Sequence, residues 1–166
     1  LLSEPPSSET AGQTINMARI LFVCHGNICR SPMAEFVMKD MLRHAGIEDV
    51  DVESAALHTD EIGGDIHPGT KRKLRQEGIP FGHRAAWLLT AAKARRYDMI
   101  IGMDAHNRRD LQRLLPADEQ HKIHSLLDWS PNPRDIADPW YTGDFDETYR
   151  DVVEGCGELL KLLGGK

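Results

Sequence analysis

The chain has 166 residues, 40% of them hydrophobic and 28% charged, which suits one globular domain with a substantial core. Its formal net charge of −6 argues against a nucleic-acid partner, and its longest apolar run, residues 20–24, is far too short to cross a bilayer. Its three cysteines are an odd number with two inside one short motif, so a reducing cytoplasm is expected and a disulfide framework is not.

Residues 1–16 are polar, rich in Ser and Pro, and lack the basic and apolar regions of a signal peptide. Met17 reads as the original start, with 1–16 a disordered tail or expression remnant and 17–166 the folded domain. From there strand and helix patterns alternate, which predicts βαβ units and a parallel sheet. Strands are expected at 19–24, 51–55, 99–103 and 122–127. A first helix carries Ala34, Val37, Met38, Met41, Leu42 and Ala45 at helical spacing and stops at Gly46. Further helices are predicted at 68–77, at 105–115 with Asp104 as N-cap, and at about 145–163. On the last, Tyr149, Val152, Val153, Cys156, Leu159, Leu160 and Leu163 form an apolar stripe, so Cys156 reads as a small core residue.

The most informative stretch follows the first strand: Cys24-His25-Gly26-Asn27-Ile28-Cys29-Arg30-Ser31, then Pro32 in a first helical turn. The first N–H groups of a helix lack intrahelical partners and sit at the positive end of its dipole, so a loop entering there forms a nest for an anion. Gly26 permits positive φ, and Asn27 tolerates it better than most residues. Arg30 supplies a planar fork of donors for two phosphate oxygens. In such a field a cysteine pKa falls from about 8.5 towards roughly 3.5–7.5, so Cys24 is expected to be a thiolate poised to attack phosphorus. Ser31 can either donate to that sulfur or serve as a plain helix-start residue. A zinc site from Cys24, His25 and Cys29 lacks a fourth ligand at a usual spacing, and neither metal nor cofactor is expected.

Attack on a phosphomonoester also needs a proton for the leaving oxygen. Asp138, followed by Pro139, Trp140 and Tyr141, is a candidate whose carboxyl the aromatic pair could desolvate, but Asp135, Asp144 and Asp146 lie close by.

The run Cys24 to Glu35 (Cys-His-Gly-Asn-Ile-Cys-Arg-Ser-Pro-Met-Ala-Glu) resembles the active-site loop of the low-molecular-weight protein tyrosine phosphatases, and the resemblance extends from Arg19 to near the C-terminus. It implies an α/β, flavodoxin-like, three-layer fold with a central four-stranded parallel sheet. It selects Asp138 as general acid and base, because Asp-Pro before an aromatic pair is similar to the family's acid loop. It implies a phosphocysteine intermediate on Cys24 and a phosphotyrosine protein as substrate. A monomer or weak dimer with no membrane insertion is expected. It also implies that Asn27 is held in a strained conformation by Ser54 and His83. Cys29 is either a reversible disulfide partner of oxidised Cys24 or a packing residue.

Trp140 and Tyr141 are expected to wall a slot for an aromatic ring, with His25 at its mouth. Phosphoarginine phosphatases of the same family carry threonine where this chain has Ile28, which favours phosphotyrosine. Many family members carry a tryptophan on the loop after Ser54; here Asp60 or a neighbour stands there, giving an acidic lip. Three rivals remain: a protein arginine phosphatase; an arsenate reductase, for which only Cys156 lies downstream as a relay cysteine; and a non-catalytic phosphate-binding module, which would not need Cys24, Arg30 and Asp138 together.

Overall fold

Four parallel strands, β1 (Ala18–Cys24), β2 (Val50–Ala56), β3 (Met99–Gly102) and β4 (Ile123–Ser125), form one sheet in the order β2-β1-β3-β4. The structure, a computed structural model, describes residues 18–164; the expected tail at 1–16 lies outside them. Strand β1 pairs with β2 on one side and β3 on the other, with Ile20 opposite both Val52 and Met99. Alternation along β1 explains its burial on both faces. Ile20 and Phe22 point into one core with residues of α1 (Arg30–His44), α2 (Pro68–Gln76) and α6 (Phe145–Leu162). Leu21 and Val23 point into a second core with Ala94 of α3 (Ala91–Ala94) and Leu111 of α4 (Ala105–Leu114). The result is the expected three-layer, flavodoxin-like α/β arrangement. Phe22 is fully buried, and truncating it to Ala would cost about 3–5 kcal/mol.

Chain order reverses direction across the sheet between β1 and β3, and ligands of open α/β sheets bind beyond the carboxyl ends of strands at such a point. Cys24 ends β1, and Asp104 follows β3 by two residues, capping α4 through Asn107 N–H. Helix α6 closes the other core: Gly155 lies so close to Leu126 that a Cβ there would collide with it. Cys156 is fully buried, and that burial raises the pKa of its thiol, as befits an inert core residue.

Two expectations need correction. The fourth strand ends at Ser125, because the Asp128 carboxylate accepts from Ser125 N–H and turns residues 126–129 into a 3₁₀ helix. The segment after Asp138 is a one-turn helix, α5 (Pro139–Thr142), capped by Asp138 and ended by Gly143 at φ +70°.

Candidate active site

The loop between β1 and α1 is held from inside. Asn27 is the one non-glycine residue with positive φ (60°) among the described residues, and it is completely buried. Its side-chain N–H groups donate to Ser31 Oγ at 2.7 Å and Ser54 Oγ at 3.0 Å. Ser31 Oγ lies 3.1 Å from Cys24 Sγ, and Ser54 donates to the buried carboxylate of Glu35 at 2.6 Å. Glu35 sits one helical turn after Ser31 and also accepts from Lys39. Gly26 does not use positive φ; its missing Cβ matters because Glu61 lies 3.0 Å from where that atom would be. Among the described residues no backbone N–H from His25 to Ser31 finds a protein acceptor, as an anion nest requires.

Arg30 opens α1 and is buried. It donates to Asp104 and to Ile136 C=O at 2.8 Å each, and to Asp138 at a longer 3.4 Å. Burial alone would lower its pKa, but the charges of Cys24, Asp104 and Asp138 outweigh it and push the value up. For Asp104 burial works upward, and the Asn107 N–H with the Arg30 guanidinium holds the carboxyl below its usual range. Asp138 also accepts from Trp140 N–H at 3.0 Å, so this carboxylate is held by two donors.

These groups face a cavity of about 760 Å³, with Cys24 and Arg30 in its lining and Asp138, Trp140 and Tyr141 along one wall. Tyr141 is 84% exposed and Trp140 57%, so the aromatic pair forms a rim around the carboxylate and leaves it open to solvent. The cavity is also lined by the acidic residues Asp60, Glu61 and Asp110. The Asp60 carboxylate accepts from His25 Nε2 at 2.9 Å, His25 stacks on His58 at 4.2 Å, and His58 meets Asp110 at 2.7 Å. The His25 contact lowers the pKa of Asp60. Ile28 and Cys29 pack with Ala86 below the loop. Burial, reinforced by the charges of Cys24 and Asp138, pushes the Cys29 thiol up to about 12.

One expected support residue is elsewhere. His83 is exposed, 3.9 Å from Asp65, and Arg84 takes the place beside Asn27, donating to its main-chain oxygen at 3.0 Å and to its side-chain oxygen. The two consecutive side chains leave an irregular segment on opposite sides, and the inward one finds the Glu35 carboxylate 3.8 Å away. Sequence reading had also passed over the parts played by Glu35, Asp104, His58 and Asp110. Glu35 alone had a local signal, its position one turn after Ser31.

Residues 19–166 match a sequence model described as the low molecular weight phosphotyrosine protein phosphatase family. The low molecular weight protein-tyrosine-phosphatase YfkJ of Bacillus subtilis is 38% identical over 150 residues, 89% of this chain and 96% of that protein. The crystal structure of YfkJ superposes with a TM-score of 0.87, covering 92% of this chain and 98% of that one at 36% identity. PtpA of Staphylococcus aureus, named as a protein of the same kind, is 34% identical over 89% of this chain and 94% of its own length. SP-PTP of Streptococcus pyogenes, whose crystal structure is described as a low molecular weight protein tyrosine phosphatase, gives a TM-score of 0.77 at 37% identity over 89% of this chain and 93% of that one.

Proposed function

The chain belongs to the low molecular weight phosphotyrosine protein phosphatases, cysteine-dependent hydrolases, and on that premise we propose that it releases phosphate from phosphotyrosine in proteins by way of a phosphocysteine on Cys24. The observation that carries this reading is the meeting, in one cavity, of Cys24 and an Arg30–Asp138 contact long enough to open, with the buried Ser31 hydroxyl 3.1 Å from the Cys24 sulfur.

In the first step Cys24 Sγ attacks phosphorus in line, the bond from phosphorus to the phenolic oxygen breaks, and the Asp138 carboxyl gives its proton to that oxygen. Arg30 and the unpaired loop amides take the equatorial phosphate oxygens, where charge spreads in a loose transition state. An arriving phosphate dianion competes for Arg30 and weakens its 3.4 Å contact with Asp138, freeing that carboxyl to face the leaving oxygen. In the second step Asp138 takes a proton from water, water attacks phosphorus, and the sulfur leaves as a thiolate stabilised by the Ser31 hydroxyl. A working thiolate belongs in a reducing compartment, so the reading carries a cytoplasmic location with it.

The rim suits an aromatic arm: Trp140 and Tyr141 flank the cavity while Cys24 is only 3% exposed, so a short serine arm would leave phosphorus out of reach. Phosphate release from phosphotyrosine and phosphoarginine, measured side by side in EDTA with Cys24→Ser as control, tests the proposal. Cysteine-dependent release from phosphotyrosine supports it. Preference for phosphoarginine keeps the mechanism and overturns the substrate, and release by Cys24→Ser overturns the mechanism.

A further inference from the structure

The loop's hydrogen bonds form a chain whose direction is set at its ends. At one end Glu35 accepts from Ser54, which commits the Ser54 proton and leaves its oxygen to accept from Asn27. At the other, Ser31 accepts from the same Asn27 amide, which leaves the Ser31 proton free for Cys24 Sγ. Everything turns on which way the Asn27 amide faces. Reversed, its oxygen would draw the Ser31 proton and meet the Ser54 oxygen with no proton between them, and the sulfur would lose its donor.

Arg84 removes that freedom. A guanidinium has five donors and no acceptor, so whatever faces it must be oxygen. It donates to the Asn27 side-chain oxygen and, at 3.0 Å, to the Asn27 carbonyl, with Ser54 C=O at 3.5 Å and Glu35 at 3.8 Å completing its surroundings. The fork thus grips both oxygens of a residue held at φ 60°, a conformation that costs a non-glycine residue energy unless its surroundings over-determine it. Burial lowers the pKa of Arg84, the charges of Glu35, Cys24 and Asp65 oppose that, and a guanidinium stays protonated at neutral pH.

We propose that Arg84 is a positioning residue for catalysis: by fixing the Asn27 amide it aims the Ser31 hydroxyl proton at the Cys24 sulfur, a task that His83 does not perform in this chain. This rests on the phosphatase reading only for its kinetic consequence; the effect on the sulfur is independent of turnover. Arg84 lies 57 residues from Asn27 and outside the lining of the substrate cavity; its charge also acts on Cys24, but its hydrogen bonds reach the sulfur only by way of Asn27 and Ser31.

Arg84→Met, Arg84→Lys and His83→Ala test it, each checked for folding by circular dichroism and thermal melting. The first readout is the pH midpoint of Cys24 carboxymethylation by iodoacetate. The second is the burst and steady-state rate of product release from a phenyl phosphate. Arg84→Met is expected to raise the midpoint by about one pH unit, the effect of one weakened hydrogen bond to a charged sulfur. Its steady-state rate falls about tenfold, more than its burst, because departure of the thiolate suffers most. Arg84→Lys, which keeps the charge but loses the fork, falls between; His83→Ala matches the wild type in both. An unshifted midpoint in Arg84→Met, or a shift in His83→Ala as large, overturns the proposal. If Arg84→Met does not fold, an unshifted midpoint in Arg84→Lys overturns it equally. A wild type that releases no phosphate would refute the phosphatase reading and leave the midpoint comparison intact.

Discussion

The floor and the lip of the cavity are built in opposite ways. On the floor, Asn27, Ser31, Ser54, Glu35 and Arg30 are nearly or fully buried; the first four are joined to one another by short hydrogen bonds and Arg30 is held by Asp104 and Ile136 C=O. At the lip, His25, Asp60, Trp140 and Tyr141 are exposed, and their contacts are ones that solvent and salt can loosen. Buried polar groups are costly to leave unpaired, so the floor tolerates little change. Exposed lip residues have few buried partners to lose, and on the proposed reading the lip is where substrate preference is set.

Substitutions should therefore divide into large effects on rate at the floor and small effects on selectivity at the lip. The largest effect belongs to Cys24→Ser, expected to lose at least about 10⁴-fold in turnover, with the fold intact by circular dichroism. Asp138→Asn follows, losing about 10²–10⁴-fold on phenyl phosphates with poor leaving groups and much less on activated ones. An equal loss on both would show that Asp138 is not the acid. At the lip, Asp60→Asn is expected to leave kcat unchanged and to move kcat/KM about 2–5-fold towards phosphotyrosine peptides with acidic neighbours, read as a ratio between acidic and basic peptides. A fall in kcat would mean that the lip belongs to the chemistry. The smallest effect separates the two loop cysteines. With its pKa raised to about 12, Cys29 is a thiol below that pH, so iodoacetate at pH 7 should label Cys24 alone, as peptide mass mapping would report. Labelling of Cys29 should appear only as pH climbs towards 12.

Most of the floor was legible because its order is local. A strand end, a loop with Gly26 and Asn27, a cation and a helix start follow one another within nine residues from Cys24 to Pro32, and geometry at each step depends on the step before. What was missed depends on contacts across the fold. Arg30 meets Asp104 across 74 positions, and Asn27 meets Arg84 across 57; no periodicity or spacing carries such pairings. The choice between His83 and Arg84 turns on which side of an irregular segment faces inward, where a displacement of one residue reverses the answer. The β strands and long helices were readable from alternation and helical spacing, whereas α5, four residues long, is too short for a period. Its Asp-Pro start and Gly143 end were present in the sequence as cap signals.

The central claim is that the reaction passes through Cys24. Rapid acid quenching during turnover of a ³²P-labelled aryl phosphate, followed by peptide mapping, tests it most directly. The account predicts label on the peptide bearing Cys24 and none with Cys24→Ser. Turnover with no label on that peptide, or label on another residue, would contradict it.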